Sequence, residues 1–572
     1  MRIAFILCLC LVSACATSDR TVLDLPDIEE SSPGNADLSF SILSINDVYR
    51  IDGLASSGAG GLDRLRAIRA AVEKDHPNLL FLHGGDLLYP SFMSRLFDGT
   101  QMIDILNMMD GDDGSFDDRM FVVFGNHEFD QNSEEDVFGL QRHIFESQFN
   151  WLGSNIDFTS AMGTKISASN LQPTAMVTFG DLQVGLFGLV IGVDGVEYAT
   201  FRSDTEYLKA QARSLSQDLR AAGADIVIGL THLDIGVDEQ LLRVSGGPDL
   251  IIGGHEHEAL QREYNGKYVF KADADAETAR LVHVTLPADG SAPIVEHSLL
   301  RIGAVEDPGL YEAVPPDPQV KARIEWWTKR TSAVFCNEID LALDCLDDIL
   351  AKAGSKLVAE ELSIRGKETN VGNFIADLMA EAGRAHGDIP EGAPVVSFVN
   401  SGSLRLNQNI LKNGLVNRQH IEELIQYDGP LFLIKISPDQ LVEALGHSAE
   451  CRISGAWLQM SGIRYTAHPN AGRATDVVVD GQPIGTEDIY AVTVQFVADP
   501  DFFGNQDGYT FRKENIVGIL KDSDGSEIML KELIYQGIDS LPVRDGFRDM
   551  NPQLDGRIQI NMDSPGTPLC ET

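Results

Sequence analysis

Five short apolar runs, each breaking off into Asp, Asn or His, constrain this chain more than any other feature. They are Phe40-Ser-Ile-Leu-Ser-Ile-Asn-Asp47, Asn78-Leu-Leu-Phe-Leu-His-Gly-Gly-Asp86 and Met120-Phe-Val-Val-Phe-Gly-Asn126-His127-Glu-Phe-Asp130. Ala224-Asp-Ile-Val-Ile-Gly-Leu-Thr-His232 and Asp249-Leu-Ile-Ile-Gly-Gly-His255-Glu-His257 complete the set. Such runs, bounded by Gly, read as buried strands of a sheet covered on both faces. In sheets of that kind functional side chains gather just past the carboxyl ends of the strands. Asp, Asn and His offer hard oxygen and imidazole nitrogen, which suit Mn, Zn, Fe or Mg. A bridging carboxylate between such donors holds two ions roughly 3.5–4 Å apart for in-line displacement at phosphorus.

Helical spacing alternates with these runs. Leu62, Leu65, Ile68 and Val72 mark an amphipathic helix, with further helices expected near 100–109 and 205–222 and a strand-like segment at 183–191. That alternation predicts a layered α/β domain over 38–304. At 572 residues the chain exceeds one core, since single domains rarely pass about 300 residues. The acidic, Pro-rich stretch 305–318 reads as an exit, and good helix formers from Gln319 to Arg330 predict a helix within a linker at 305–334. A second, α+β domain is expected at 335–560, with strands at 431–436, 476–479 and 489–494, helices near 371–384 and 438–449, and a tail at 561–572. The net charge of −42 argues against nucleic-acid polymers as partners, because a phosphate backbone needs a basic face.

Met1-Arg2 followed by the apolar stretch Ile3 to Val12 reads as a signal peptide, 1–14, too short to span a bilayer. Leu11-Val12-Ser13-Ala14-Cys15 resembles the bacterial lipobox, which implies that Cys15 is lipidated and that 15–37 is a flexible tether. Simple cleavage and release is the alternative. The expected location is the periplasm or cell surface, with membrane contact only through the lipid. Cys336, Cys345, Cys451 and Cys570 then meet an oxidising compartment and permit three pairings. Cys336–Cys345 is the local expectation, leaving Cys451–Cys570.

The spacing Gly-Asn-His-Glu-Phe-Asp at 125–130 with Gly-Gly-His-Glu-His at 253–257 resembles the calcineurin-like metallophosphoesterases. The second half sharpens this. Glu368-Thr-Asn-Val-Gly-Asn-Phe-Ile-Ala-Asp377, Asn400-Ser-Gly-Ser-Leu-Arg405 and Asp507-Gly-Tyr509 look like the carboxy-terminal domain of 5′-nucleotidases and UDP-sugar hydrolases. The resemblance implies two divalent ions (Mn, Zn, Mg or Ca) bridged by Asp86. Asn126, His232 and His255 complete one site, and Asp47 with His257 the other. It implies that His127, oriented by Asp130, stabilises transition-state charge or protonates the leaving oxygen, with Glu128 and Phe129 in packing or supporting roles.

The family usually has a His two residues after the first Asp, where this chain has Tyr49. Gly85-Asp86-Leu-Leu-Tyr89 is similar to a purple acid phosphatase motif in which the Tyr binds ferric iron. Tyr89, or failing that Tyr49, is therefore expected to fill the position and bias the Asp47 site towards iron; otherwise both tyrosines pack and a water takes their place. For the substrate, the resemblance implies holding by Arg365 and Arg405, with Lys367 where relatives carry another Arg. Asn400 falls near the ribose or base, Asp507 faces the ribose hydroxyls, and Tyr427 and Phe496 sandwich the base, with Phe502 or Phe503 as replacement for the latter. The implied activity is phosphate removal from nucleotides, foremost nucleoside 5′-monophosphates, with a hinge at the linker bringing the domains together. UDP-sugar hydrolysis, 2′,3′-cyclic-nucleotide phosphodiesterase with 3′-nucleotidase activity, and non-catalytic nucleotide binding at a surface are the alternatives.

Overall fold

The computed structural model describes residues 37–562 apart from 55–57, 113, 160–162, 164, 304–314, 388 and 506. The signal segment, Cys15 and Cys570 lie outside the described residues.

The expected layered domain of mixed sheets flanked by helices is present, and the apolar runs divide between two sheets. A seven-stranded sheet runs Ile294–Arg301, Thr278–Leu286, Leu38–Ile45, Leu79–His83, Met120–Val123, Asn150–Leu152, Leu171–Gln172. A six-stranded sheet runs Gln261–Tyr264, Lys267–Phe270, Leu250–Gly253, Ile226–His232, Leu182–Val190, Thr174–Phe179. The sheets pack face to face, Phe40, Ile42, Leu80, Leu82 and Phe121 sharing one core with Leu186, Ile228, Leu230 and Ile252. The intervening residues Leu43, Ile45, Phe81 and Val122 look outward onto Leu65, Ile68 and Val72 of the helix Leu62–Asp75 and onto Met102 and Ile105 of Thr100–Leu106. On the far side Phe187, Val227 and Ile251 meet Leu208, Ala212 and Leu219 of the helix Thr205–Ala221. Both faces of each central strand are thus dry, which is why the runs are continuously apolar.

Leu38–Ile45, Leu79–His83 and Met120–Val123 are mutually parallel, as are Ile226–His232 and Leu250–Gly253. Where these strands end, the two sheets approach closely. A Cβ on Gly84 would lie 2.8 Å from the Gly253 backbone, and one on Gly125 would meet the Asp86 carboxylate. Glycine is required at both.

The linker helix, Pro318–Glu338, extends past the expected Arg330. Asp317 caps it, accepting from the Gln319 and Val320 amides, and Pro318 opens it. Val320, Ile324 and Trp327 pack onto the first domain, and Trp327 Nε1 donates to Asp104 at 2.7 Å. The expected Cys336–Cys345 disulfide closes the turn that follows and packs with Phe92, Phe335 and Leu346. No helix among the described residues is long and apolar enough to cross a membrane.

The second domain holds a five-stranded sheet in the order Leu458–Ser461, Val395–Asn400, Ile489–Thr493, Phe432–Ile436, Ile516–Ile519, with two four-stranded sheets beside it. One of these carries Ile349–Ala353 between Leu415–Asn417 and Phe547–Met550. The helices Asn370–Arg384 and Pro438–Glu450 close its core.

The two domains touch through polar contacts that are partly buried. Arg50 Nη1 donates to Glu423 at 2.9 Å and Nη2 to the Leu406 carbonyl at 2.9 Å, and Arg95 reaches Glu422 at 3.1 Å. A cavity of about 640 Å³ lies behind this seam, with Tyr49, Phe92, Thr331, Leu346 and Arg405 on its walls.

Candidate active site

Asp47, Asp86, Asn126, His232, His255 and His257 all fall at strand ends on the edge where the two sheets meet. Asp47, Asp86, His255 and His257 all have positive φ, at 52°, 57°, 98° and 63°. A chain leaving a strand in that conformation turns at once, so side chains of neighbouring strands are thrown into one space.

The turns are cross-braced. Asn46 Nδ2 donates to Asp47 Oδ2 and to the Ala272 carbonyl, while its Oδ1 accepts from the Ala272 amide. Glu128, wholly buried, accepts from the amides of Asp86, Leu87, Leu88 and Gly125 and so fixes the loop that carries Asp86. Lys271, also buried, donates to Glu256 at 2.6 Å and lies 3.0 Å from Asp238, pinning the Glu between the two histidines.

Two overlapping donor groups result. His232 donates from Nδ1 to the Gly84 carbonyl at 2.7 Å; its Nε2 lies 3.1 Å from Asn126 Oδ1 and 3.3 Å from Asp86 Oδ2. The His255 ring stands 5.1 Å from the His232 ring, beside Asp234. Donor atoms of Asp47, Asp86 and His257 all lie within 4.8 Å of one another. Burial works against charge on His232, but Asp86 and Asp47 outweigh it and hold the ring up at about 10. Burial likewise opposes ionisation of Asp86, and His232 and His127 reverse it, holding the carboxyl well below its usual range. Asp47 Oδ1 is buried without a hydrogen-bond partner among the described residues. A buried carboxylate oxygen lacking a donor calls for a cation, and the mixed oxygen and imidazole set suits the divalent ions named above.

Tyr49 sits inside this cluster. Its hydroxyl donates to Asp86 Oδ2 at 3.0 Å and lies 2.9 Å from His257 Nε2. Burial, with Asp86 and Asp47, pushes the phenol well above its ordinary value, so it is protonated in this arrangement. The expectation that Tyr89 is the first choice to fill the position is corrected. The Tyr89 hydroxyl bonds to Asp98, which also receives Arg142 and faces a separate pocket with His143 and Tyr198. Placed two residues beyond Leu87, whose amide is held by Glu128, the Tyr89 ring turns away from Asp86.

His127 Nδ1 lies 2.9 Å from Asp130 Oδ1, and the His127 amide donates to Asp86 at 2.8 Å. The other oxygen of Asp130 accepts from the Tyr427 hydroxyl, a second-domain residue, at 2.7 Å. Arg405 is stacked over the Tyr427 ring, 5.6 Å from its centroid. Among the described residues its guanidinium hydrogen-bonds only from Nε to the Gly402 carbonyl. Arg365 is otherwise engaged, its Nη2 lying 2.6 Å from Glu361 Oε1. Asn400 Nδ2 donates to Asp507 at 2.6 Å, and burial pushes the Asp507 carboxyl up to about 6. The expected base sandwich is not formed in this arrangement. Tyr427 and Phe496 meet edge to face, 6.1 Å apart at 69°, and Phe502 meets Phe496 at 4.9 Å and 79°. A base between two rings needs them near-parallel and about 7 Å apart, two van der Waals contacts. The Phe503 side chain lies outside the described residues.

Glu361 escaped the sequence reading altogether. Its Oε2 lies 2.8 Å from His257 Nδ1, and Arg365 and His257 outweigh the effect of burial to hold its carboxyl well below the usual range. The only local signal is its position four residues before Arg365.

Residues 40–259 match the family described as calcineurin-like phosphoesterase, and residues 351–506 the 5′-nucleotidase C-terminal domain. The chain is 23% identical to a Bos taurus 5′-nucleotidase over 555 residues, covering 90% of this chain and 88% of that one. It is 24% identical to a trifunctional nucleotide phosphoesterase of Bacillus subtilis, covering 87% of this chain and 33% of the other. Among solved structures, a 5′-nucleotidase precursor from Thermus thermophilus superposes with a TM-score of 0.70 at 21% identity, covering 92% of this chain and all of that one. A sulfate thiohydrolase from the same genus shares the fold, with a TM-score of 0.65 at 15% identity over 92% of this chain and 98% of that one. With both of its halves matched and the order of the two domains preserved, the chain belongs to the metallophosphoesterases that carry a 5′-nucleotidase C-terminal domain.

Proposed function

We propose that the protein is an exported phosphohydrolase that removes phosphate from nucleotides, most directly nucleoside 5′-monophosphates. One observation carries the reading: the Asp130 carboxylate joins His127 on one side and Tyr427 of the nucleoside-side domain on the other. The groups suited to phosphoryl chemistry and those suited to a nucleoside therefore share one cleft.

Asp86 would bridge two ions, with Asn126, His232 and His255 on one and Asp47, His257 and the Tyr49 oxygen on the other. When bound, such ions supply Lewis acidity that activates water and offsets charge on the phosphoryl oxygens. Asp130 takes the Nδ1 proton of His127 in a hydrogen bond and so leaves Nε2 to act. There the ring stabilises charge developing on the phosphoryl group or protonates the departing ester oxygen. Arg405 presents a guanidinium fork to phosphate or ribose-side oxygens. Asn400 and Asp507 form a polar pair for ribose hydroxyls, and Tyr427, with Phe496 or Phe502, offers a face to the base once the rings rotate.

Residues 38–304 and 335–560 serve as catalytic and substrate domains in this reading, and Cys15 carries the lipid that holds the protein at a membrane surface. Mass spectrometry of the mature amino terminus tests the anchor. Phosphate release from nucleoside mono-, di- and triphosphates, UDP-glucose and a 2′,3′-cyclic nucleotide, with Mn, Zn or Fe supplied in turn, tests the activity. Fastest turnover of a 5′-monophosphate, lost in His127→Ala, is expected. Nucleotide binding without turnover under any metal would leave only a binding protein.

A further inference from the structure

The two ring nitrogens of His257 face different domains. Nε2 lies 3.5 Å from Asp47 Oδ1 and 2.9 Å from the Tyr49 hydroxyl, both first-domain groups. Nδ1 lies 2.8 Å from Glu361 Oε2, and Glu361 opens the short helix Glu361–Ile364 of the second domain. Among the described residues Glu361 is the one hydrogen-bond partner of that nitrogen. The first domain, taken alone, therefore leaves the His257 ring without the group that fixes its tautomer and plane.

We propose that Glu361 is a positioning residue for His257, and that the affinity of the Asp47–His257 position for its ion depends on the two domains being closed on each other. The inference rests on the reading of Asp47, Asp86 and His257 as metal ligands. Its physical basis is general. A histidine that binds metal through one nitrogen donates the proton on the other to a carboxylate or carbonyl. Loss of that outer partner typically weakens metal binding 10–100-fold. In this chain the outer partner arrives from another domain, anchored by its ion pair to Arg365 at 2.6 Å. Any opening that separates Glu361 from His257 removes the support. By linkage the effect runs both ways: an ion bound tighter in the closed form by some factor favours closure by the same factor. Closure would then report not only nucleotide, through Tyr427 and Asp130, but also the filling of the metal position. The partial charge balance fits, since Glu361 places a second-domain anion directly behind a ligand of a cationic centre.

The test uses the full chain stripped by a chelator, with Mn²⁺ or Zn²⁺ then titrated against a fluorescent competing chelator. The wild type should bind two ions. Glu361→Ala should weaken one of them 10–100-fold and leave the other within about twofold, with the thermal transition of the metal-free chain reported alongside to show that it folds. Glu361→Gln, which keeps an oxygen to accept the Nδ1 proton, should recover most of the loss. Arg365→Met removes the ion pair while leaving Glu361 in place, and should weaken binding less than Glu361→Ala. Arg95→Met, which removes the seam contacts to Glu422 and the Gln426 carbonyl away from the ligands, should weaken the same ion as Glu361→Ala. Two ions bound by Glu361→Ala within twofold of the wild type overturns the inference and leaves the phosphohydrolase reading standing. An Arg95→Met chain that opens by small-angle scattering yet binds both ions normally overturns the dependence on closure. A wild-type chain that binds no ion overturns both the metal-site reading and this inference.

Discussion

Arg50 is the residue whose removal best tests whether closure of the domains governs substrate binding. Its guanidinium gives Nη1 to Glu423 at 2.9 Å and Nη2 to the Leu406 carbonyl at 2.9 Å, both across the seam, and stands 4.0 Å from Asp275 in its own domain. The side chains of Arg50 and Glu423 are 12% and 10% exposed. Removing one partner of a buried pair costs about 3–5 kcal/mol, because the survivor stays desolvated and unpaired. In the open form Glu423 regains water, so the penalty falls on closure alone. Each 1.4 kcal/mol is tenfold, so Arg50→Met should lower the closed population by roughly two to three and a half powers of ten relative to the open one. Apparent affinity for a substrate that needs the closed form falls with the competent fraction. KM for a nucleoside monophosphate should therefore rise by about 100-fold or more, while kcat at saturation changes little. Asp275, already pushed above its usual range by burial, loses its cation as well, so the defect should ease as pH falls. The cycle supplies the control. Glu423→Gln in the Arg50→Met background removes the orphaned charge and should restore at least tenfold in KM. A double variant no better than the single, or an unchanged KM in Arg50→Met, would refute the assignment of this pair to closure.

His127→Ala should lower turnover by about 10²–10⁴, the usual contribution of a positioned proton donor, with nucleotide binding by calorimetry retained. Tyr427→Phe removes a hydrogen bond to a carboxylate, a contact of about 1.5–3 kcal/mol, and should reduce turnover by roughly one to two powers of ten through Asp130. Tyr49→Phe strips partners from Asp86 and His257 at once; the metal-free chain should lose about 1–3 kcal/mol in urea unfolding, and added Mn²⁺ should recover it. Iron supplied to the wild type should give a visible phenolate charge-transfer band that Tyr49→Phe abolishes and Tyr89→Phe leaves. Asp507 has a folded value of about 6, above the ordinary 3.8, so its contribution to stability is full below about pH 4 and lost as pH rises through 6. Asp507→Asn should accordingly flatten the stability profile between pH 4 and 7, worth at most about 3 kcal/mol at 1.36 kcal/mol per unit, and weaken nucleoside binding.

The first domain is legible because its strands are buried on both faces and end in polar residues, so periodicity and chemistry coincide at Asp47, Asp86, Asn126 and His232. What the runs do not reveal is that two sheets share them: Leu250–Gly253 and Leu38–Ile45 both read as buried strands ending in metal-binding residues, and only packing of Ile42 against Leu230 and Ile252 tells them apart. Tyr89 misleads for a local reason. Its spacing from Asp86 is right, but the Glu128 clamp on Leu87 and Leu88 sends the ring towards Asp98. Arg365 and Glu361 misdirect differently, since a helical i,i+4 pair on the surface of one domain becomes part of the other domain's site only when the two are docked, a relation no short window contains.

Backbone strain at the strand ends argues that the frame exists to hold the donors. Asp47, Asp86, His255 and His257 all occupy the left-handed region, at a cost of about 1–2 kcal/mol each for a residue with a Cβ. Four such residues sum to roughly 4–8 kcal/mol, comparable with the whole margin of a folded domain. Folding alone would favour glycine there, and glycine does occupy the neighbouring positions 84, 85, 253 and 254. The strained conformations persist because rigid groups over-determine them: Asn46 across Asp47, Glu128 under Asp86, and Lys271 through Glu256 between the two histidines. Replacing Glu256 by Gln therefore tests the principle apart from any ligand. Lys271 would keep a hydrogen bond to the amide and its ion pair with Asp238 at 3.0 Å, but the strained turn would lose its charged anchor. The variant should lose stability by about 1–3 kcal/mol, the scale of a hydrogen bond between charged groups, since Lys271 stays paired with Asp238. A loss below about 1 kcal/mol would mean that Asp238 alone compensates Lys271 and that the turn is held by something other than this clamp.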